Sequence, residues 1–393
     1  MATTFPIDRL YRTGVVVWDL KKAVRDYTEV YGIDSWKVVH HTPGRLRDAT
    51  FFGRKVSHGY SSAVGTTPGG AITFELIQPG PGPSAFKQFL YARGEGVHHL
   101  LLRAGSSADL ADLRDWLRGQ GIGVMQSESI DGLVRTEYYD TRKALGGFYL
   151  KAVATEGGDF EAAIPADETW DLTSEMTWPE GAPLKVPMLH HFGIVVRDVV
   201  ERAESYSKLF GIDNWNFGLW HSSPGSLENA TYNGQPVEHS YFTTLVSPLT
   251  NFGFELVQPA LGPQNYKEDY LNVFGEGIHH LFTQPPPALK DLDHWKQVEG
   301  WMNSMGVPMV QSASLGGWAD FFYLDTKQKL GGYITETMVV YGARPTPPAA
   351  PAEGEAPEEP RELPPVQAGR NSRDFALDFT ATADDTASDS SGD

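Results

Sequence analysis

The stretch LHHFGIVVRDVVERAESYSKLFGIDNW, residues 189–215, decides the fold, because LYRTGVVVWDLKKAVRDYTEVYGIDSW at residues 10–36 says almost the same thing. Three further landmarks recur in the same order. FELIQP (Phe74–Pro79) pairs with FELVQP (Phe254–Pro259), GEGVHHL (Gly94–Leu100) with GEGIHHL (Gly275–Leu281), and DTRKALGGFYLK (140–151) with DTKQKLGGYITE (325–336). A repeat of this length is a duplicated domain, since solenoid units span only a few tens of residues. Each copy opens with a short apolar strand and an amphipathic helix, roughly Leu20–Tyr31 or Val199–Phe210. Gly32 or Gly211 follows each helix as a C-cap signal.

The rest of each copy continues this pattern. Strands are expected at Ala49–Phe52, Ser57–Val64 and Ala71–Gln78, and at Ala230–Asn233, Glu238–Val246 and Gly253–Gln258 in the second copy. The region after His98 or His279 repeats the strand–helix–strands order, so the chain is predicted to be α+β, with four βαβββ units forming two cupped mixed sheets. The expected boundaries are a first domain at 1–154, an acidic, turn-rich linker at 155–186, a second domain at 187–342 and a tail at 343–393. From Pro345 on, the tail has eleven Asp/Glu against three Arg in a Pro/Ala-rich context. That composition buries too little apolar surface to offset its ordering entropy and is expected to be disordered. The patch Phe375–Phe379 interrupts it.

The chain has 393 residues and a formal charge of −18, so the tail carries much of the negative balance. No basic patch interleaved with aromatics suggests a nucleic-acid partner, and no long apolar run suggests a membrane span. Cysteine is absent, which excludes disulfides and thiolate ligands and fits a cytoplasmic protein. A metal site would have to use His and carboxylate. The expected partner is a small-molecule substrate, and a sheet edge could mediate a homodimer.

The second copy supplies such a set on its strands: His191, Glu255, His280 and Glu336. Strand side chains alternate between faces, so the four could converge inside a curved sheet. Mixed N/O ligation without sulfur suits one divalent ion such as Fe, Mn, Co, Ni or Zn. The chain thereby resembles the vicinal oxygen chelate superfamily, which includes glyoxalase I, methylmalonyl-CoA epimerase, extradiol dioxygenases and bleomycin-resistance proteins. The family's His-apolar-Gly opening corresponds to His191-Phe192-Gly193, and its His-His pair to His279-His280, with the second His as ligand. Its Gly with Glu four residues on corresponds to Gly332 and Glu336, and its carboxylate four before Pro to Glu255 and Pro259.

The first copy departs from this pattern. Arg12 stands for His191 and Lys151 for Glu336, while Glu75 and His99 persist. The two cations are expected beside Glu75, in place of the divalent charge, because a buried carboxylate needs a positive partner. Persistence of Glu75 leaves the FEL motif open to an ion-pair role as well as ligation.

His239, Tyr241 and Thr243 alternate and are expected to share one face. His239 and Tyr241 are candidate acid/base or substrate-orienting groups, although His58 and Tyr60 repeat them in the first copy. Trp215, Phe217, Trp220 and Phe242 could line an apolar pocket or fill the core. The resemblance implies an isomerase or epimerase in which Glu336 or Glu255 removes a proton next to a carbonyl. The alternative is a non-haem Fe(II) extradiol dioxygenase using His191, His280 and Glu336. A non-catalytic binding protein would lack the ligand set.

Overall fold

The computed structural model describes residues 10–156, 159–222, 226–246, 252–284, 289 and 291–342. The strands of the first repeat are β1 (Leu10–Val16), β2 (Trp36–His41), β3 (Leu46–Phe51), β4 (Arg54–Lys55), β5 (Tyr60–Thr66), β6 (Thr73–Pro79), β7 (Gly96–Arg103), β8 (Val124–Ile130), β9 (Val134–Tyr139) and β10 (Tyr149–Thr155). With β11 (Glu168–Trp170) they form one sheet in the order β11-β2-β5-β6-β1-β7-β10-β9-β8-β3-β4. The second repeat contributes β12 (His191–Val195), β13 (Asn216–His221), β14 (Glu228–Tyr232), β15 (Gln235–Pro236), β16 (Ser240–Val246), β17 (Gly253–Pro259), β18 (Gly277–Gln284), β19 (Met309–Leu315), β20 (Ala319–Leu324) and β21 (Ile334–Val340). Their order, β13-β16-β17-β12-β18-β21-β20-β19-β14-β15, repeats the first. The architecture is the expected α+β pair of cupped mixed sheets.

Two strands in each repeat differ from the sequence reading. Trp36–His41 and Asn216–His221, left unassigned above, form strands that pair with β5 and β16 inside the first half of each repeat. The segments expected first after the helix, Ala49–Phe52 and Ala230–Asn233, overlap β3 and β14, which cross to the far edge and pair with β8 and β19 instead. Both crossing strands carry a register shift and a left-handed residue, Asp48 or Asn229, at φ 51° or 52°. A bulge of this kind re-aims a strand, and it is hard to recognise in a linear pattern.

The helices follow their sequence signals. Asp19 accepts from the Lys22 amide and Asp198 from those of Val200 and Glu201, capping Leu20–Tyr31 and Val199–Phe210. Gly32 and Gly211 end them in the left-handed region.

One hydrophobic core runs through both repeats. The contacts between them are reciprocal. Tyr27 Oη donates to the Leu330 carbonyl at 2.7 Å, and Tyr206 Oη to that of Leu145 at 2.9 Å. The Glu95 and Glu276 carboxylates accept from the backbone amides of Trp18 and Arg197.

The linker is more structured than its composition suggests. Glu168–Trp170 adds an edge strand beside Trp36–Val38, and Phe160–Ala163 forms a helical turn against the first cup. The tail and its Phe375–Phe379 patch lie outside the described residues. Among the described residues no helix is long and apolar enough to cross a membrane.

Candidate metal centre

Strand register assembles the site. Gly193 on β12 lies opposite Glu255 on β17 and His280 on β18, while Glu336 on β21 lies opposite Phe282 on β18 and Tyr323 on β20. His191, two residues before Gly193, joins the same face. The glycine is required by packing. A Cβ at Gly193 would fall 1.9–2.3 Å from the His280 ring, and one at Gly14 2.2–2.6 Å from the His99 ring. The His-apolar-Gly motif therefore combines a candidate ligand with the gap that lets a second imidazole cross the strand.

The four expected groups converge, with one ligand atom from each of His191, Glu255, His280 and Glu336 within 4.8 Å of the others. The two imidazole Nε2 atoms are 3.3 Å apart. Glu336 Oε2 is 3.3 Å from each Nε2, and Glu255 Oε2 is 3.5 Å from His191 and 3.2 Å from His280. Ligands about 2.1 Å from a common ion stand roughly 3.0–3.4 Å apart when adjacent, so the quartet has the dimensions of a coordination shell. Glu336 Oε2 is also buried without a hydrogen-bond partner, as a ligand atom facing an ion would be.

The electrostatics agree with this fit. Burial works against a charged His191, yet Glu255 and Glu336 outweigh it and raise the imidazole to about 9. His280 moves up for the same reasons. Both carboxyls are depressed, burial being more than offset by the two imidazoles. The pocket calls for positive charge, which protons on imidazole or a divalent cation can supply.

Each imidazole of the quartet has a histidine neighbour in the chain that contacts its other ring nitrogen. His190 Nδ1 lies 2.9 Å from His191 Nδ1, and His279 Nδ1 3.0 Å from His280 Nδ1. Burial keeps His190 and His279 neutral, so each can accept a proton bond at Nδ1 and leave its neighbour's Nε2 free for a metal.

Tyr241 is buried beside the quartet. Burial first, and then the charges of Glu255 and Glu336, raise its phenol well above the usual range and keep it a neutral donor. It packs on Tyr266 at 5.0 Å between centroids, and Tyr266 Oη donates to Tyr323 Oη at 2.7 Å. Neither Tyr266 nor Tyr323 stood out in the sequence. The signal for Tyr266 was its replacement by Phe86 in the first copy. His239 lies outside the cluster. It precedes the first residue of β16 and turns Nδ1 toward the Pro263 carbonyl at 3.4 Å. Trp215 and Phe217 are core, Phe242 is 39% exposed, and Trp220 Nε1 donates to Thr243 Oγ1.

In the first cup, Lys151 Nζ bonds both Glu75 oxygens at 2.9 and 3.0 Å, with Arg12 Nη1 at 3.7 Å. Burial raises the Glu75 carboxyl, but Lys151, His99 and Arg12 more than reverse it and hold it well below its ordinary range. The two cations stand where the sequence put them.

Comparison with known proteins agrees with the fold. Residues 11–137 match the family described as the Glyoxalase/Bleomycin resistance protein/Dioxygenase superfamily. No curated protein sequence matches. Among solved structures, a mutant of 4-hydroxymandelate synthase from Streptomyces coelicolor is 14% identical with a TM-score of 0.49, over 86% of this chain and 94% of that one. Methylmalonyl-CoA epimerase from Mycobacterium tuberculosis is 22% identical with a TM-score of 0.29, over 39% of this chain and 92% of that one. The family match covers the first repeat, and the second repeat carries the same strand order, so both halves share the fold of duplicated vicinal oxygen chelate domains.

Proposed function

We propose that the second cup holds one divalent cation on His191, Glu255, His280 and Glu336. With it, the protein acts as an isomerase or epimerase that removes a proton next to the carbonyl of a small hydroxy-carbonyl compound or thioester. The observation carrying this reading is that Glu255 stands as close to both imidazoles as Glu336 does. A ring-cleaving iron centre would need two imidazoles and one carboxylate, with the other positions open. Here a second carboxylate lies at ligand distance.

The bound cation would supply Lewis-acid polarisation of the carbonyl oxygen. The protein's own groups do the rest. Glu255, the more exposed of the two carboxylates at 17% against 8% for its side chain, is placed to take the proton from carbon. Glu336, deeper, anchors the ion. The neutral Tyr241 phenol donates toward the substrate oxygen, and the His190 and His279 contacts keep the ligating nitrogens in the correct tautomer.

The test is metal analysis of anaerobically purified protein together with two assays. Nickel, cobalt, manganese or zinc, with exchange of solvent deuterium into a hydroxy-carbonyl or thioester substrate and no O2 uptake, supports the isomerase. Iron with O2 uptake and a yellow product from a catechol replaces it with the dioxygenase.

A further inference from the structure

The first cup has lost its ligand set without becoming apolar. Where the second cup has Ala313 and Phe321, the first has Glu128 and Thr136, paired across neighbouring strands. Several of its buried polar atoms have no hydrogen-bond partner: Thr136 Oγ1, His41 Nδ1, Arg12 Nε, Glu128 Oε1 and both ring nitrogens of His58. Unpartnered buried groups of this kind are rare in structural cores and call for an occupant.

The mouth of the cup is closed from the linker. In the turn Phe160–Ala163, Phe160 is buried and lies 5.3 Å from the Arg12 guanidinium carbon, ring centroid to Cζ. Glu161 forms an ion pair with Arg12 Nη2. Behind the turn a cavity of about 40 Å³ remains, with Arg12, His41, Thr136, Lys151, Glu161 and Ile164 among its lining.

Charge defines what else could sit there. Arg12 and Lys151 bring two positive charges and Glu75 one negative, leaving one positive charge for Glu161 to balance. An occupant replacing Glu161 must bring a single negative charge. The remaining cavity has room for little more than water, so that occupant must also displace the turn.

We propose that the N-terminal cup is a metal-free binding site for a small monocarboxylate, closed by the turn around Phe160, with the Glu161 carboxylate occupying the position on Arg12 that the ligand's carboxylate would take. The ligand carboxylate pairs with Arg12, and a hydroxyl or carbonyl oxygen on it meets Thr136 and His41.

The test is calorimetric titration of the full chain with pyruvate, lactate and acetate, comparing wild type, Glu161→Gln and the double variant Arg12→Gln/Glu161→Gln. Removing the tethered competitor should tighten binding of at least one probe tenfold or more, because the competent state no longer has to be won from a closed one. Adding Arg12→Gln should abolish that gain. Carboxylates binding at the second cup would respond to neither change, so the outcome is separate from the reading of the metal centre.

Hydrogen exchange on the wild type gives a second measurement that needs no variant. Pyruvate should speed exchange of amides 160–164 relative to chloride at equal ionic strength. Unchanged affinity in Glu161→Gln, a gain that survives loss of Arg12, or unchanged exchange at saturating pyruvate would each overturn the proposal.

Discussion

The two cups share a frame and differ in charge. Both place a glycine under an imidazole, Gly14 under His99 and Gly193 under His280. Both keep the adjacent histidine pair at 3.0 Å and the glutamate of the FEL motif. Two exchanges then separate them. With neutral imidazoles, the second quartet carries two negative charges and suits a divalent cation. The first carries Arg12, Lys151 and Glu75, and with Glu161 it balances without a metal. The shared strand register places the side chains, and their charge decides whether an ion is needed.

The largest effect should come from removing a nitrogen ligand. His280→Ala is expected to reduce bound metal from one equivalent to less than a tenth and to abolish turnover. His99→Ala, its counterpart, should leave metal content unchanged, as read by elemental analysis of both proteins. Equal metal loss in the two would break the comparison.

Next in size are charge exchanges between the cups. Glu336→Lys should lose the metal yet stay folded, because the new ammonium can pair with Glu255 as Lys151 does with Glu75. Glu336→Ala would lose the metal and gain no such partner. In metal-free Glu336→Ala only a protonated imidazole would face Glu255, whereas the lysine adds a permanent charge, so thermal melts of the metal-free forms at pH 8 should rank Glu336→Lys above Glu336→Ala. The reverse exchange, Arg12→His with Lys151→Glu, should give the first cup a second equivalent of divalent metal.

Most of this comparison was legible in the sequence, because the repeat aligns each candidate ligand with its counterpart and glycine spacing fixes the register. The crossing of β3 and β14 was not, since a bulged strand has the same local pattern wherever its partner lies. Nor was the turn at Phe160 legible. FEAA carries an ordinary helical pattern, and only the three-dimensional position of Arg12 gives Glu161 a role. Tyr266 was missed because aromatics are common in cores, and His239 drew notice through a strand alternation that begins one residue after it.

A smaller effect concerns Glu128, whose counterpart is Ala313. Burial raises its folded-state value to about 7, so the folded chain holds a proton that the unfolded chain releases near 4.5. The sign follows from linkage: stability falls as pH rises from about 4.5 to about 7, by on the order of 3 kcal/mol, and levels off above. Glu128→Ala should remove that slope and raise stability at pH 8 relative to wild type, as urea melts at pH 5 and pH 8 would show. A slope that persists in the variant would place the titration elsewhere.

The smallest expected effect separates two neighbours on one chain segment. Tyr241 feels both carboxylates of the quartet. His239 feels burial, and against it only the Pro263 carbonyl, and is lowered. Tyr241→Phe should cost roughly tenfold in turnover at unchanged metal content, in line with loss of one well-placed proton donor. His239→Gln keeps a donor for the Pro263 carbonyl and removes the titrating ring. Turnover should therefore stay within about threefold, with the pH profile unmoved. If His239 were the acid or base, the same substitution would erase one limb of that profile, and the division of labour between the two residues would have to be reversed.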